Sequence, residues 1–125
     1  HGYTYSAHPV ACAAGLVALD ILEREELPRR VATLAPYFEE GLHALAGSPY
    51  VSDIRNYGFA GALQLEAYPG EPARRPFEIA LRMWEKGFYV RYGGNTIQLG
   101  LPFVIEKAQI DSLLQALGET LREQA

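Results

Sequence analysis

Apolar residues recur at helical spacing in four stretches of the chain. Val10, Ala13, Ala14, Val17 and Ile21 form one stripe, and Pro9 suits the first turn of the helix it predicts. Val31, Leu34, Phe38, Leu42 and Leu45 form a second, closed by Gly47-Ser48-Pro49. Phe77, Ala80, Leu81 and Trp84 form a third, with Trp84 assigned to the core and Gly87 expected as a left-handed C-cap. Ile110, Leu113, Leu114, Leu117 and Leu121 form the last. Between the second and third helices, VSDIRNYGFAGALQLEA contains two extended runs. Phe59, Gly61, Leu63 and Leu65 alternate there with Ala60, Ala62, Gln64 and Glu66, as a half-buried strand does. The following YPGEPARRP reads as a polar, proline-rich loop.

A second strand pair is predicted in GFYVRYGGNTIQLGLPF. Gly93-Gly94 suits a two-residue hairpin turn, because glycine reaches the positive φ such turns need. That turn pairs Tyr92 with Asn95, Arg91 with Thr96, Val90 with Ile97 and Tyr89 with Gln98. Alternation then gives Phe88, Val90, Ile97 and Leu99 one face, and Tyr89, Arg91, Thr96 and Gln98 the other. The element order is helix, helix, strand pair, helix, strand pair, helix. This predicts an α+β fold in which about four helices pack on a small, mostly antiparallel sheet.

The 125 residues suit one domain or a piece of one, with a modest core. Eleven Lys and Arg against 15 Asp and Glu leave a net charge of -4, and no basic cluster exceeds Arg74-Arg75, so nucleic acid is not an expected partner. No apolar stretch is long enough to span a bilayer and no secretory signal is visible, so a membrane is not expected either. The single cysteine, Cys12, lies among alanines and reads as a buried, inert thiol in a reducing, cytoplasmic protein. His1, His8 and His43 lack metal-ligand spacing, and no metal is expected. His8, beside Pro9, reads as a capping or turn residue, and the run ACAAG would let another element approach closely.

Two positions carry candidate chemistry. Arg91 is a cation on a strand, beside an aromatic and two neutral hydrogen-bonding groups, with no carboxylate across the hairpin to neutralise it. A guanidinium so placed can bind a carboxylate through two parallel hydrogen bonds. The same pattern also fits an ordinary solvent-facing arginine, and a one-residue slip of register would turn Arg91 to the other face. At the other end of the chain, Thr4 and Ser6 place hydroxyls just before a helix N-terminus, where free N–H groups and the helix dipole favour an anion such as a phosphate. A simple helix cap, or the closing of a turn, uses the same residues.

HGYTYSAHPVACAAG closely resembles the segment that opens the C-terminal part of class III, pyridoxal-phosphate-dependent aminotransferases. VSDIRNYGFAGALQLE and GFYVRYGGNTIQLGLPF are similar to the following strands of that family, in the same order. GFYVRYGGNTIQ is most similar to the ω-amino acid–pyruvate, or β-alanine–pyruvate, branch. The resemblance implies an amino-group transfer from an ω-amino acid such as β-alanine to pyruvate, a pyridoxal 5'-phosphate cofactor and a homodimer or higher homo-oligomer. It implies that Thr4 contacts the cofactor phosphate of the neighbouring subunit and that Arg91 receives the substrate α-carboxylate. Ala7 stands where many relatives have Gly, and Asn95 where some have Asp.

The family also needs a lysine bonded to the cofactor and an aspartate on its ring nitrogen. Lys86, Lys107, Asp20, Asp53 and Asp111 do not match those positions. Residues 1–125 are therefore expected to be the C-terminal small domain with its lead-in segment, without the upstream cofactor-binding domain, and inactive alone. A non-catalytic module that kept the scaffold, or a class III enzyme for another amine donor, fits the same residues.

Overall fold

The computed structural model describes residues 2–124, so the readings placed on His1 lie outside the described residues. Helices α1 (Pro9–Arg24) and α2 (Leu27–His43) precede strands β1 (Val51–Tyr57) and β2 (Ala60–Leu65); then follow α3 (Arg74–Glu85), β3 (Arg91–Gly93), β4 (Thr96–Gly100) and α4 (Lys107–Glu123). The strands form one antiparallel sheet in the order β1-β2-β4-β3. The α+β expectation holds in both element order and sheet type.

Helices α2, α3 and α4 cover one face of this sheet. Phe59, Leu63, Leu65, Ile97 and Leu99 point into that layer, and Phe38, Leu42, Ile79, Met83, Ile110, Leu117 and Leu121 meet them there. Burying each such side chain contributes roughly 1.5–3 kcal/mol. Gly61 is required by close approach: a Cβ there would lie 2.8 Å from Leu42 Cδ2 and 2.9 Å from Phe38 Cζ. All five predicted core positions of α4 are buried, and its start is closed by a capping box between Glu106 and Gln109. Gly87 ends α3 at φ 87°, with Phe88 N–H donating to Met83 O and Gly87 N–H to Trp84 O, a Schellman closure.

Three expectations change. First, α1 buries none of its residues, and Cys12 is exposed rather than buried. Only Ile21 and Leu22, where α1 approaches α2, are half-buried; Val10, Leu16, Val17 and Leu19 lie open, and nothing fills the space beside Gly15. Second, α3 buries Arg75, Pro76, Ile79 and Met83, while Trp84 is 66% exposed. The helix begins inside the predicted loop, at Arg74, which brings a second apolar stripe one position earlier against the sheet. The displaced stripe packs sideways instead: Phe77 against Tyr92 at 5.4 Å and Trp84 against Tyr89 at 6.1 Å between ring centroids. Third, the second hairpin turns at Gly94-Asn95, not Gly93-Gly94. Arg91 pairs with Gln98, Tyr92 with Ile97 and Gly93 with Thr96, and Phe88–Val90 lie outside the strand. The register differs by two residues, an even number, so every side chain keeps its predicted face.

Candidate functional site

The uncovered face of the sheet carries the side chains that alternate with the core. Successive pairings place Arg55, Ala62, Gln98 and Arg91 in one row across all four strands. Strands lie about 4.8 Å apart, so roughly 14 Å of backbone separates the two arginines. Arg55 is engaged by Asp53, two residues away on the same strand, at 3.5 Å. Arg91, on the edge strand, is exposed, and its guanidinium has no ion-pair or hydrogen-bond partner among the described residues. The lack of a cross-hairpin carboxylate therefore extends from the sequence to the fold.

Gln98 lies directly opposite Arg91, and Thr96 is two pairs further along, opposite Gly93. A Cβ added to Gly93 would lie 3.4 Å from Gln98 Nε2, so the glutamine amide lies over the edge strand at Gly93, two residues from Arg91. Tyr89 and Tyr92 flank Arg91 in sequence, each held against an aromatic of α3. The result is a guanidinium on the edge strand, bordered by neutral hydrogen-bonding groups and open to solvent. Its chemistry suits a planar oxyanion such as a carboxylate.

The hairpin is fixed by Asn95, whose role the sequence reading did not identify. Leu65 N–H donates to Asn95 O at 2.8 Å, and Asn95 Nδ2 donates to Leu65 O at 2.7 Å. Leu65 ends β2 and is fully buried. Its successor Glu66 is also fixed: Glu66 N–H donates to Tyr50 O at 2.8 Å, and Glu66 O accepts from Arg75 Nε at 2.8 Å. Arg75 is 6% exposed and lies over the ring of Tyr50, 3.5 Å from Cζ to centroid, with Tyr68 at 4.3 Å. Its Nη1 is buried without a hydrogen-bond partner among the described residues. Read as loop, Arg75 offered no sequence signal of this clamp.

At the other end of the chain, Thr4, Tyr5, Ser6 and Ala7 form a turn ahead of α1, with Ser6 N–H donating to Tyr3 O and His8 N–H to Tyr5 O. Ala7 adopts φ 59°, the left-handed region that favours glycine, at a cost on the order of 1 kcal/mol. The alanine thus retains a turn for which glycine is the less strained choice. His8 is the N-cap residue but makes no side-chain capping bond, and the first turn carries no acidic residue. No side-chain cap is formed at this helix start, whereas the plain turn considered for Thr4, Ser6 and His8 is present over residues 4–7. An uncapped, carboxylate-free helix start preceded by two hydroxyls has the donor set a phosphate requires.

Neither lysine approaches these positions. Lys86 is bound by Glu123 at 3.0 Å and Glu119 at 3.8 Å, and Lys107 stands over Tyr37 at 4.6 Å. Tyr37 belongs to the α2–α4 contact, where its hydroxyl donates to Asp111 Oδ1 at 2.5 Å. That bond, foremost, holds its phenol above the ordinary value. Among the described residues no three His, Cys, Asp or Glu side chains cluster as a metal site, and no helix is long and apolar enough to cross a membrane.

A family model described as aminotransferase class-III matches residues 1–121. The chain is similar to the β-alanine–pyruvate aminotransferase of Pseudomonas aeruginosa, 56% identical over 121 residues, which are 97% of this chain and 27% of that protein. It is 51% identical to the ω-amino acid–pyruvate aminotransferase of Pseudomonas putida over 123 residues, 98% of this chain and 27% of that protein. Among solved structures, a thermostable ω-transaminase mutant from Pseudomonas jessenii matches with a TM-score of 0.91 at 26% identity, over 100% of this chain and 29% of that one. A PLP-bound amine transaminase from an uncultivated Pseudomonas species matches with a TM-score of 0.85 at 35% identity, over 99% of this chain and 29% of that one. The chain thus spans about a quarter of the length of the curated relatives it matches.

Proposed function

The chain belongs to the class-III aminotransferase family, and from that premise we propose that it is the C-terminal small domain of a pyridoxal-phosphate-dependent transaminase, with its lead-in segment. The enzyme moves an amino group from an ω-amino acid such as β-alanine to pyruvate, the reaction class carried in the names of the two relatives above. Pyridoxal phosphate, when bound, supplies the electron sink for amino-group exchange. Within this chain Arg91 binds the carboxylate of pyruvate or alanine through paired N–H donors. Its place on a strand limits how far that carboxylate can wander, which orients the reacting carbon. Thr4 holds the cofactor phosphate of a neighbouring subunit, so the working form is a homodimer or larger. The lysine bonded to the cofactor comes from elsewhere in the enzyme, and the 125-residue chain alone is inactive. The single cysteine suits a cytoplasmic setting.

The observation that carries this reading is Arg91: a guanidinium exposed on the sheet's open face, with no anion among the described residues paired to it. A charge-assisted bidentate contact contributes roughly 1.5–3 kcal/mol. In the complete enzyme, Arg91→Ala raises the KM for pyruvate by up to about 100-fold, with cofactor affinity unchanged. An unchanged KM rejects the assignment. A panel of amine donors with pyruvate as acceptor tests the donor class.

A further inference from the structure

We infer that Asn95 is a positioning residue for Arg91: by bonding both polar backbone groups of Leu65, it selects the hairpin turn that sets where the guanidinium stands on the sheet. The inference rests on the carboxylate-binding reading of Arg91.

Local chemistry leaves the turn undecided. Gly93-Gly94 and Gly94-Asn95 both supply a glycine for the positive φ of a two-residue hairpin turn. The first pairs Arg91 with Thr96, the second with Gln98. The two registers differ by two residues, which slides β3 against β4 by nearly 7 Å at about 3.4 Å per residue. Arg91 keeps its face but moves by more than the width of a carboxylate. In the observed register Gly94 takes φ 54°, while Gly93 has an ordinary strand conformation.

Asn95 breaks the tie from outside the hairpin. As a turn residue it directs its amide into the β2–β4 ladder, donating from Nδ2 to Leu65 O at 2.7 Å while its carbonyl accepts Leu65 N–H at 2.8 Å. With the turn at Gly93-Gly94, Asn95 would be a strand residue, its side chain standing off the sheet instead of lying within the ladder. The Leu65 carbonyl would then lose the Asn95 side chain as its donor. Leu65 serves as a fixed reference because it is buried and its neighbour Glu66 is held by Tyr50 and by the buried Arg75. Through Asn95, the position of the arginine on the edge strand is referred to the core.

The test uses two variants and two readouts. In the complete enzyme Asn95→Ala raises the KM for pyruvate about tenfold, the effect of one lost hydrogen bond to a part-buried carbonyl, while kcat at saturating pyruvate stays within about twofold. In NMR spectra of the complete enzyme, selectively labelled at arginine, threonine and glutamine, the same substitution replaces part of the Arg91–Gln98 cross-strand contact with an Arg91–Thr96 contact. Adding Gly93→Ala removes the competing turn, because that turn needs a left-handed Gly93. The KM of the double variant then returns to within about threefold of the parent. Loss of melting temperature with an unchanged KM, retention of the Arg91–Gln98 contact in Asn95→Ala, or failure of Gly93→Ala to restore the KM each overturns the inference. If Arg91→Ala itself leaves the KM unchanged, the carboxylate assignment fails, while the NMR contacts still judge what Asn95 does to the register.

Discussion

Ile97 and Gln98 follow one another along β4, yet Ile97 is fully buried under the helices and Gln98 is exposed beside Arg91. The contrast repeats on β2 between Leu63 and Ala62, and at the start of β3 between Val90 and Arg91. Side-chain alternation separates the two tasks of this sheet at a resolution of one residue. The covered face carries stability, and the open face carries the proposed carboxylate contact, whose substitution is expected to leave folding almost untouched.

The largest expected effect lies on the covered face. Ile97→Ala removes a fully buried side chain and lowers the unfolding free energy by about 3 kcal/mol, whereas Gln98→Ala changes it by less than about 0.5 kcal/mol. Urea titrations of both variants measure the contrast, and equal losses would abolish it. Next comes the lead-in turn, which is as exposed as the open sheet face. In the complete enzyme, Thr4→Ala weakens cofactor binding about tenfold with no change in unfolding midpoint. Cofactor titration followed by absorbance checks this, and equal affinity in variant and parent removes Thr4 from the phosphate site. The smallest effect belongs to Tyr37. Its phenol is raised in the folded state by the bond to Asp111, so its contribution is present below the unfolded value of about 10 and lost as pH rises beyond it. Stability measured against pH should fall more steeply from about pH 10 upward in the parent than in Tyr37→Phe. Parallel curves would mean that the bond contributes nothing.

Helix α4 and the β1–β2 hairpin were legible from periodicity because each apolar position finds its partner inside the chain. Helix α1 shows the limit: Val10 and Val17 have the same kind of spacing, but periodicity reports which face is apolar, not what lies against it. The third helix failed differently. Pro76, Ile79 and Met83 form an apolar stripe beside Phe77, Leu81 and Trp84, and the sequence alone does not say which one the sheet takes. Arg91 was singled out as a candidate by its unneutralised charge on an alternating strand. Asn95 and Arg75 were not, because each acts through a backbone carbonyl that only the tertiary fold brings within reach.

The central claim, that Arg91 holds a carboxylate, is tested most directly by changing the acceptor rather than the enzyme alone. Comparing pyruvate with propanal, which lacks the carboxylate, isolates that one contact. In the complete enzyme, Arg91→Ala should lower kcat/KM for pyruvate by up to about 100-fold and leave propanal within about threefold of the parent. Equal losses with both acceptors, or no loss with pyruvate, would contradict the account.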